Sequence, residues 1–160
     1  MGYPHPSHPR ETVLLSRYFG DAAARSYDAW VKRGGYQALE QALGMGRDQV
    51  IEEVTRSGVR GRGGAGFPAG VKWGFMPRER TRPHYFVCNA DEGEPGTFKD
   101  RTLMRWDPHR LVEGIIIVSM AINAHQAFVY VRGELAEEIA ILDSAINEAR
   151  QRGYLGKSVL

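Results

Sequence analysis

"VRGRGGAGFPAGVKWG" (residues 59–74) sets six glycines and three cationic side chains into sixteen positions. Such a stretch reads as a loop that cradles phosphate, as an Arg-Gly tract that grips RNA, or as a flexible linker. Gly61, Gly63 and Gly66 satisfy G-x-G-x-x-G, but that fingerprint belongs after a strand. Here the preceding "RDQVIEEVTRSG" (47–58) is helical in period, with Val50, Ile51 and Val54 on one side and Ser57-Gly58 as its stop. A standard dinucleotide unit is therefore disfavoured, even though Asp91 follows Gly66 by 25 positions, near the acidic spacing of that motif. The physical logic of the loop survives. Glycines let backbone approach a ligand closely and let successive amides converge on an anion. Arg60, Arg62 and Lys72 add charge suited to phosphate, and "AGVKWGF" opens a helix.

The other two readings are weaker. Arg-Gly tracts act by repetition and strong basic charge, whereas this motif occurs once in a chain of net charge +2. A linker seldom carries aromatics as dense as Phe67, Trp73 and Phe75. No nucleic-acid partner is expected.

Downstream, "HYFVCN" (84–89) has the composition and length of a buried strand, and "AFVYVR" (127–132) of a second. Asp107 caps, and Pro108 opens, a helix running to about Asn123. The last helix, Glu134 to Arg152, carries Leu135, Ile139, Leu142, Ile146 and Ala149 on one stripe and is closed by Gly153. Upstream, helix-compatible sequence from Ala22 to Ala42 is broken by "RGG" at 33–35, and residues 1–12 form an irregular lead-in where His5 and His8 read as solvated. Strand, helix, strand, helix is the pattern of an α/β fold with a parallel sheet and flanking helices. Ligands of such sheets gather at the carboxyl ends of strands. The acidic turn "DEGEPGTFKD" (91–100) stands at one of them.

That turn is no EF-hand loop, since Gly93 and Pro95 occupy positions that need oxygen ligands. It reads as a solvated turn, as paired carboxylates for acid–base work, or as carboxylates that accept hydrogen bonds from ribose, ribityl or amide groups. Cys88 is the single cysteine, which excludes an internal disulfide or an all-cysteine metal or iron–sulfur site and fits a reducing compartment. Inside a strand it reads as packing. The length of 160 residues suits one well-buried domain. The longest apolar run, "GIIIVSMAI" (114–122), is too short to cross a bilayer, and the Pro- and His-rich N-terminus shows no secretory signal.

Taken together, "SGVRGRGGAGFPAGVKWGFMP" (57–77) and "VCNADEGEPGTFKDR" (87–101) closely resemble the NADH-binding flavoprotein subunit (the F subunit) of respiratory complex I. The related diaphorase subunits of NAD-reducing hydrogenases and formate dehydrogenases share these motifs, and "GGYQALEQAL", "DPHRLVEG" and "YVRGE" extend the likeness. The resemblance implies a Rossmann-like FMN-binding domain, incomplete at its C-terminus, occupying residues 13–160. It implies hydride transfer from NADH to FMN, then single electrons to an iron–sulfur cluster and on to quinone. By motif, Gly61, Gly63, Gly64, Lys72, Asn89, Asp91 and Glu94 would meet FMN, and Gly66, Phe67, Phe75 and Glu94 would meet NADH. No catalytic acid or base and no metal ligand is implied, because the flavin carries the chemistry. The family's ubiquitin-like and iron–sulfur domains, with the 4Fe-4S cluster, are absent from this sequence, which makes it an expected N-terminal part. The implied partners are a thioredoxin-like and a large iron–sulfur subunit, at the cytoplasmic face of the cell membrane, with membrane contact only through the complex. The alternatives are a diaphorase of a soluble hydrogenase or formate dehydrogenase, and a truncated, non-catalytic remnant.

Overall fold

The computed structural model describes residue 10, residues 15–79 and residues 81–156; the N-terminal lead-in, with His5 and His8, lies outside them. The chain divides into two compact units: one of residues up to Gly35, Asn89–Val112 and residues from Tyr130 on, the other of Tyr36–Cys88 and Glu113–Val129.

In the second unit, α2 (Gln37–Met45) and α3 (Arg47–Arg56) lead into the glycine loop, and α4 (Ala69–Gly74) follows it. The expected α3 stripe forms the core: Val50 is buried with Ala42 and Ala121, and Ile51, Val54, Trp73, Ile117 and Met120 pack against them. Gly58 ends that run with φ 69°. A helix thus precedes the loop, as the sequence suggested.

The amide end of α2 is satisfied from far along the chain. Tyr36 sits before it at φ 64° with no side-chain cap of its own. The buried Glu113 of helix α6 (Pro108–Ala121) accepts instead, from the amides of Tyr36 at 2.8 Å and Leu39 at 3.1 Å. Two orphan helix donors are thereby paired with one carboxylate, a strong arrangement in a buried site. The stretches "GGYQALEQAL" and "DPHRLVEG" meet here.

Strands β1 (Tyr85–Asn89) and β2 (Gln126–Tyr130) form a two-stranded sheet. The amide of His125 donates to the carbonyl of His84 at one end, and that of Ala90 to Tyr130 at the other, so the strands run parallel. The expected burial of β1 holds on one face alone. Both strands alternate exposed and half-buried residues, because nothing described covers their other face.

In the first unit, α1 (Tyr27–Lys32), α5 (Lys99–Trp106) and α7 (Ala136–Gln151) surround buried Trp30, Met104, Leu142, Ala145 and Ala149. The last helix keeps the expected stripe and ends at Gly153, φ 84°. The break at "RGG" also has a packing cause: a Cβ on Gly35 would overlap the Trp30 indole at 2.2 Å. Glu148 of α7 accepts from the amide of Tyr27 at 2.8 Å, and its carboxylate lies 3.4 Å from buried His109 Nε2. Burial outweighs the pull of Glu148 and Asp107 and holds the His109 imidazole below its ordinary pKa.

Two expectations change. Helix α5, Lys99–Trp106, takes over the end of what reads as a turn. Asp107 stands at the junction of α5 and α6, its carboxylate bonded to Arg110 Nε at 2.5 Å. Among the described residues no helix is long and apolar enough to cross a membrane.

Candidate nucleotide-binding site

The glycine loop is a closed loop with an open rim. Arg60 and Pro68 pair as an antiparallel bridge. Gly61 N donates to Phe67 O at 2.9 Å, Ala69 N to Val59 O at 2.9 Å, and Arg60 Nη1 to Gly66 O at 3.1 Å. Beyond this base, residues 61–65 are exposed, and the amides of residues 62–66 donate to no described residue. The fold itself accounts for only some of the glycines. Gly64 and Gly66 take φ of 120° and 62°, where side chains are strained. Gly61 and Gly63 do not, and a Cβ on Gly63 would meet nothing within 4 Å, while one on Gly61 would meet only Phe67 O at 3.7 Å. The chain's own packing gives no reason for glycine at these two positions. Backbone left bare toward open space fits a ligand that lies against it.

Phe67 and Phe75, 46% and 69% exposed, stand with ring centroids 6.0 Å apart and planes 55° apart. They are a solvent-facing aromatic pair, unlike Trp73, which joins the core. Lys72 is exposed on α4. Gly61, Gly63, Gly64, Gly66, Phe67, Lys72 and Phe75 thus fall in one unit, whereas Asn89, Asp91 and Glu94 fall in the other.

The acidic turn is held from within by a residue the sequence reading left unassigned. Glu92, at φ 50°, buries its carboxylate and accepts from the amides of Asp100 at 2.6 Å and Arg101 at 3.1 Å, and from Arg101 Nε at 2.8 Å. It caps the first turn of α5 and pins the middle of the loop. On either side, Asn89 Oδ1 accepts from Asp91 N at 3.1 Å, and Glu94 O accepts from Thr97 N at 3.2 Å. Pro95 and Gly96, the latter at φ 78°, give that closure the residues of a type II turn. Gly93 leaves room for the Asp91 carboxylate, whose Oδ2 a Cβ would crowd at 3.0 Å. Glu94 is exposed and Asp91 half-buried, so their oxygens remain available as acceptors. No capping-box spacing connects Glu92 to α5, and its role shows only once the turn folds back.

Burial pushes the Glu92 carboxyl up, but the Arg101 side chain and the amides of Asp100 and Arg101 outweigh it, and its pKa is below the usual value of 4.5. A depressed carboxylate pKa stabilises the fold fully above the unfolded value and loses that contribution as pH falls through the folded value. Glu92→Gln is expected to lose about 1–3 kcal/mol at pH 7. The deficit should shrink steadily in melting curves taken below pH 4.5. A deficit that stayed constant down to pH 3 would show that the charge of Glu92 contributes nothing.

A parallel αβ sheet with a bare glycine loop, an exposed aromatic pair and a pinned acidic turn defines a nucleotide-binding type of protein. Residues 54–159 match the Nuo51 FMN-binding domain, and the chain belongs to that family. It is 50% identical to the F subunit of NADH-quinone oxidoreductase of Aquifex aeolicus over 161 aligned positions, 98% of this chain and 38% of that subunit. One of the two F subunits of the same enzyme in Rhizobium meliloti is 57% identical over 127 positions, 79% of this chain and 29% of that subunit. A chain of the air-oxidised NAD+-reducing NiFe hydrogenase superposes with TM-score 0.61 at 42% identity, covering 66% of this chain and 19% of that one. The chain thus spans about a third of the length of the curated relatives it matches.

Proposed function

We infer that this chain forms the first part of the FMN- and NADH-binding domain of an electron-entry subunit, over residues 13–160 after a short lead-in. The observation that carries this reading is the bare backbone at Gly61 and Gly63, which the fold does not require and a flat cofactor does. What the bound flavin supplies is acceptance of a hydride from NADH and release of electrons one at a time. The chain's own work is to bind and orient. Gly61, Gly63 and Gly64 let the ligand lie on the loop, and Lys72 offers positive charge nearby. Asn89, Asp91 and Glu94 supply acceptors, and donors from Asn89, on a turn that Glu92 keeps rigid. Gly66, Phe67 and Phe75 receive the nicotinamide nucleotide, with Glu94 as its hydrogen-bond partner. None of these residues transfers a proton.

The bacterial relatives are named as F subunits of NADH-quinone oxidoreductase, and the same assembly is the reading proposed here. Its partners would be a thioredoxin-like and a large iron–sulfur subunit, at the cytoplasmic face of the membrane, with quinone as the final acceptor. The cluster and the ubiquitin-like domain would belong to parts of the subunit outside these residues. The likeness to the NAD+-reducing hydrogenase supports a second reading, a diaphorase. Reconstitution with quinone-reducing or hydrogenase partner subunits separates the two.

Glu94→Gln tests the nicotinamide assignment. Losing one charge-assisted hydrogen bond is expected to raise the NADH concentration for half-maximal flavin reduction about 10-fold or more. FMN affinity should change far less, since Asn89 and Asp91 remain. An unchanged NADH dependence would remove Glu94 from the site.

A further inference from the structure

We propose that the open face of the β1–β2 sheet is a docking surface for the part of the subunit's own polypeptide that lies outside these 160 residues. Tyr85, Val87 and Phe128 stand on that face, 54%, 59% and 47% exposed, alternating with half-buried Phe86, Cys88, Ala127 and Val129. The Tyr85 and Phe128 rings meet across the strands at 6.1 Å, so the apolar surface is continuous. Parallel sheets are covered on both faces, and two strands alone make a marginal sheet. Neither "YFVCN" nor "QAFVY" carries a charged residue, so the strands lack the charges that keep sheet edges from pairing. An uncharged face of aromatic and branched side chains calls for an apolar, well-packed cover rather than a polyanion or a lipid headgroup.

The extent of the relatives identifies that cover. The Aquifex aeolicus match takes in 98% of this chain but only 38% of that subunit, and the hydrogenase match only 19% of its chain. Each relative therefore has a long stretch of the same polypeptide available to lie over this face. The inference concerns packing and does not depend on flavin binding.

The test mixes the purified 160-residue chain with a separately expressed segment of the Aquifex aeolicus subunit comprising what lies outside the match. A one-to-one complex is expected on size exclusion, with new amide protection against hydrogen exchange at residues 85–89 and 126–130. Val87→Lys with Phe128→Lys, both at solvent-facing positions, should abolish the complex and leave circular dichroism unchanged. Should that pair disturb the fold, Tyr85→Ser is used in its place and should weaken the complex several-fold. Leu43→Lys, at an exposed apolar residue elsewhere, should leave it intact. No complex with the unaltered chain, equal binding by the face variants, or a dimer of this chain built on the same face would each overturn the proposal.

Discussion

Gly70→Ala is expected to destabilise the protein by about 3 kcal/mol, because it forces a methyl group into a backbone contact. Gly70 is buried where α4 crosses α3. A Cβ there would lie 2.3 Å from Thr55 Oγ1, 2.4 Å from Thr55 N and 2.7 Å from Thr55 Cα. The hydroxyl is itself committed to Ile51 O at 2.7 Å, and the backbone atoms belong to a regular helix turn. No side-chain rotation relieves the overlap, so the two helices must separate and loosen the packing of Val50, Val54 and Trp73. For a chain of this length the loss corresponds to a melting temperature roughly 6–12 °C lower. Gly74→Ala, in the same helix, is the control. Its Cβ would meet only Ile51 Cγ2 at 3.9 Å, and the change should be neutral or stabilising by up to about 1 kcal/mol. Equal melting temperatures for the two variants would contradict the close helix contact.

Gly63→Val should give the opposite result: a stable protein with impaired flavin binding. Residue 63 has ordinary φ, is exposed and has free space around its missing side chain, so the fold should change by no more than about 0.5 kcal/mol. Flavin affinity should fall about 10-fold or more, equivalent to at least about 1.4 kcal/mol, since branched methyl groups would stand where the ligand meets backbone. Gly70 and Gly63 lie seven residues apart in one motif, and the structure gives them different duties. A Gly63→Val protein that binds FMN as tightly as the unaltered chain would show that the ligand does not approach this backbone.

Much of this was legible in sequence wherever the signal is local. Helices α3 and α7 announce themselves because their apolar stripes repeat every three or four residues, and Gly58 and Gly153 close them. The loop "VRGRGGAGFPAGVKWG" was readable as a ligand loop from its glycine and aromatic density, though not that Gly70 within it serves helix packing. A glycine's duty depends on what lies opposite, and Thr55 is fifteen residues away. Helix α5 was missed for a related reason. Its amide end is capped by Glu92, eight residues before Asp100 and beyond a Pro-Gly turn, where no capping pattern applies. Glu113 and Glu148 serve the starts of α2 and α1 over still longer separations. In each case an acidic residue that reads as surface charge becomes a structural acceptor only after the chain has folded back.

The most direct measurement is a fluorescence titration of FMN with the purified chain, alongside circular dichroism to establish that it is folded. Quenching that saturates at micromolar protein, and is weakened by Gly63→Val but not by Gly74→Ala, is the expected result. A folded chain that leaves FMN fluorescence unchanged at those concentrations would contradict the assignment of the glycine loop and the acidic turn to the flavin.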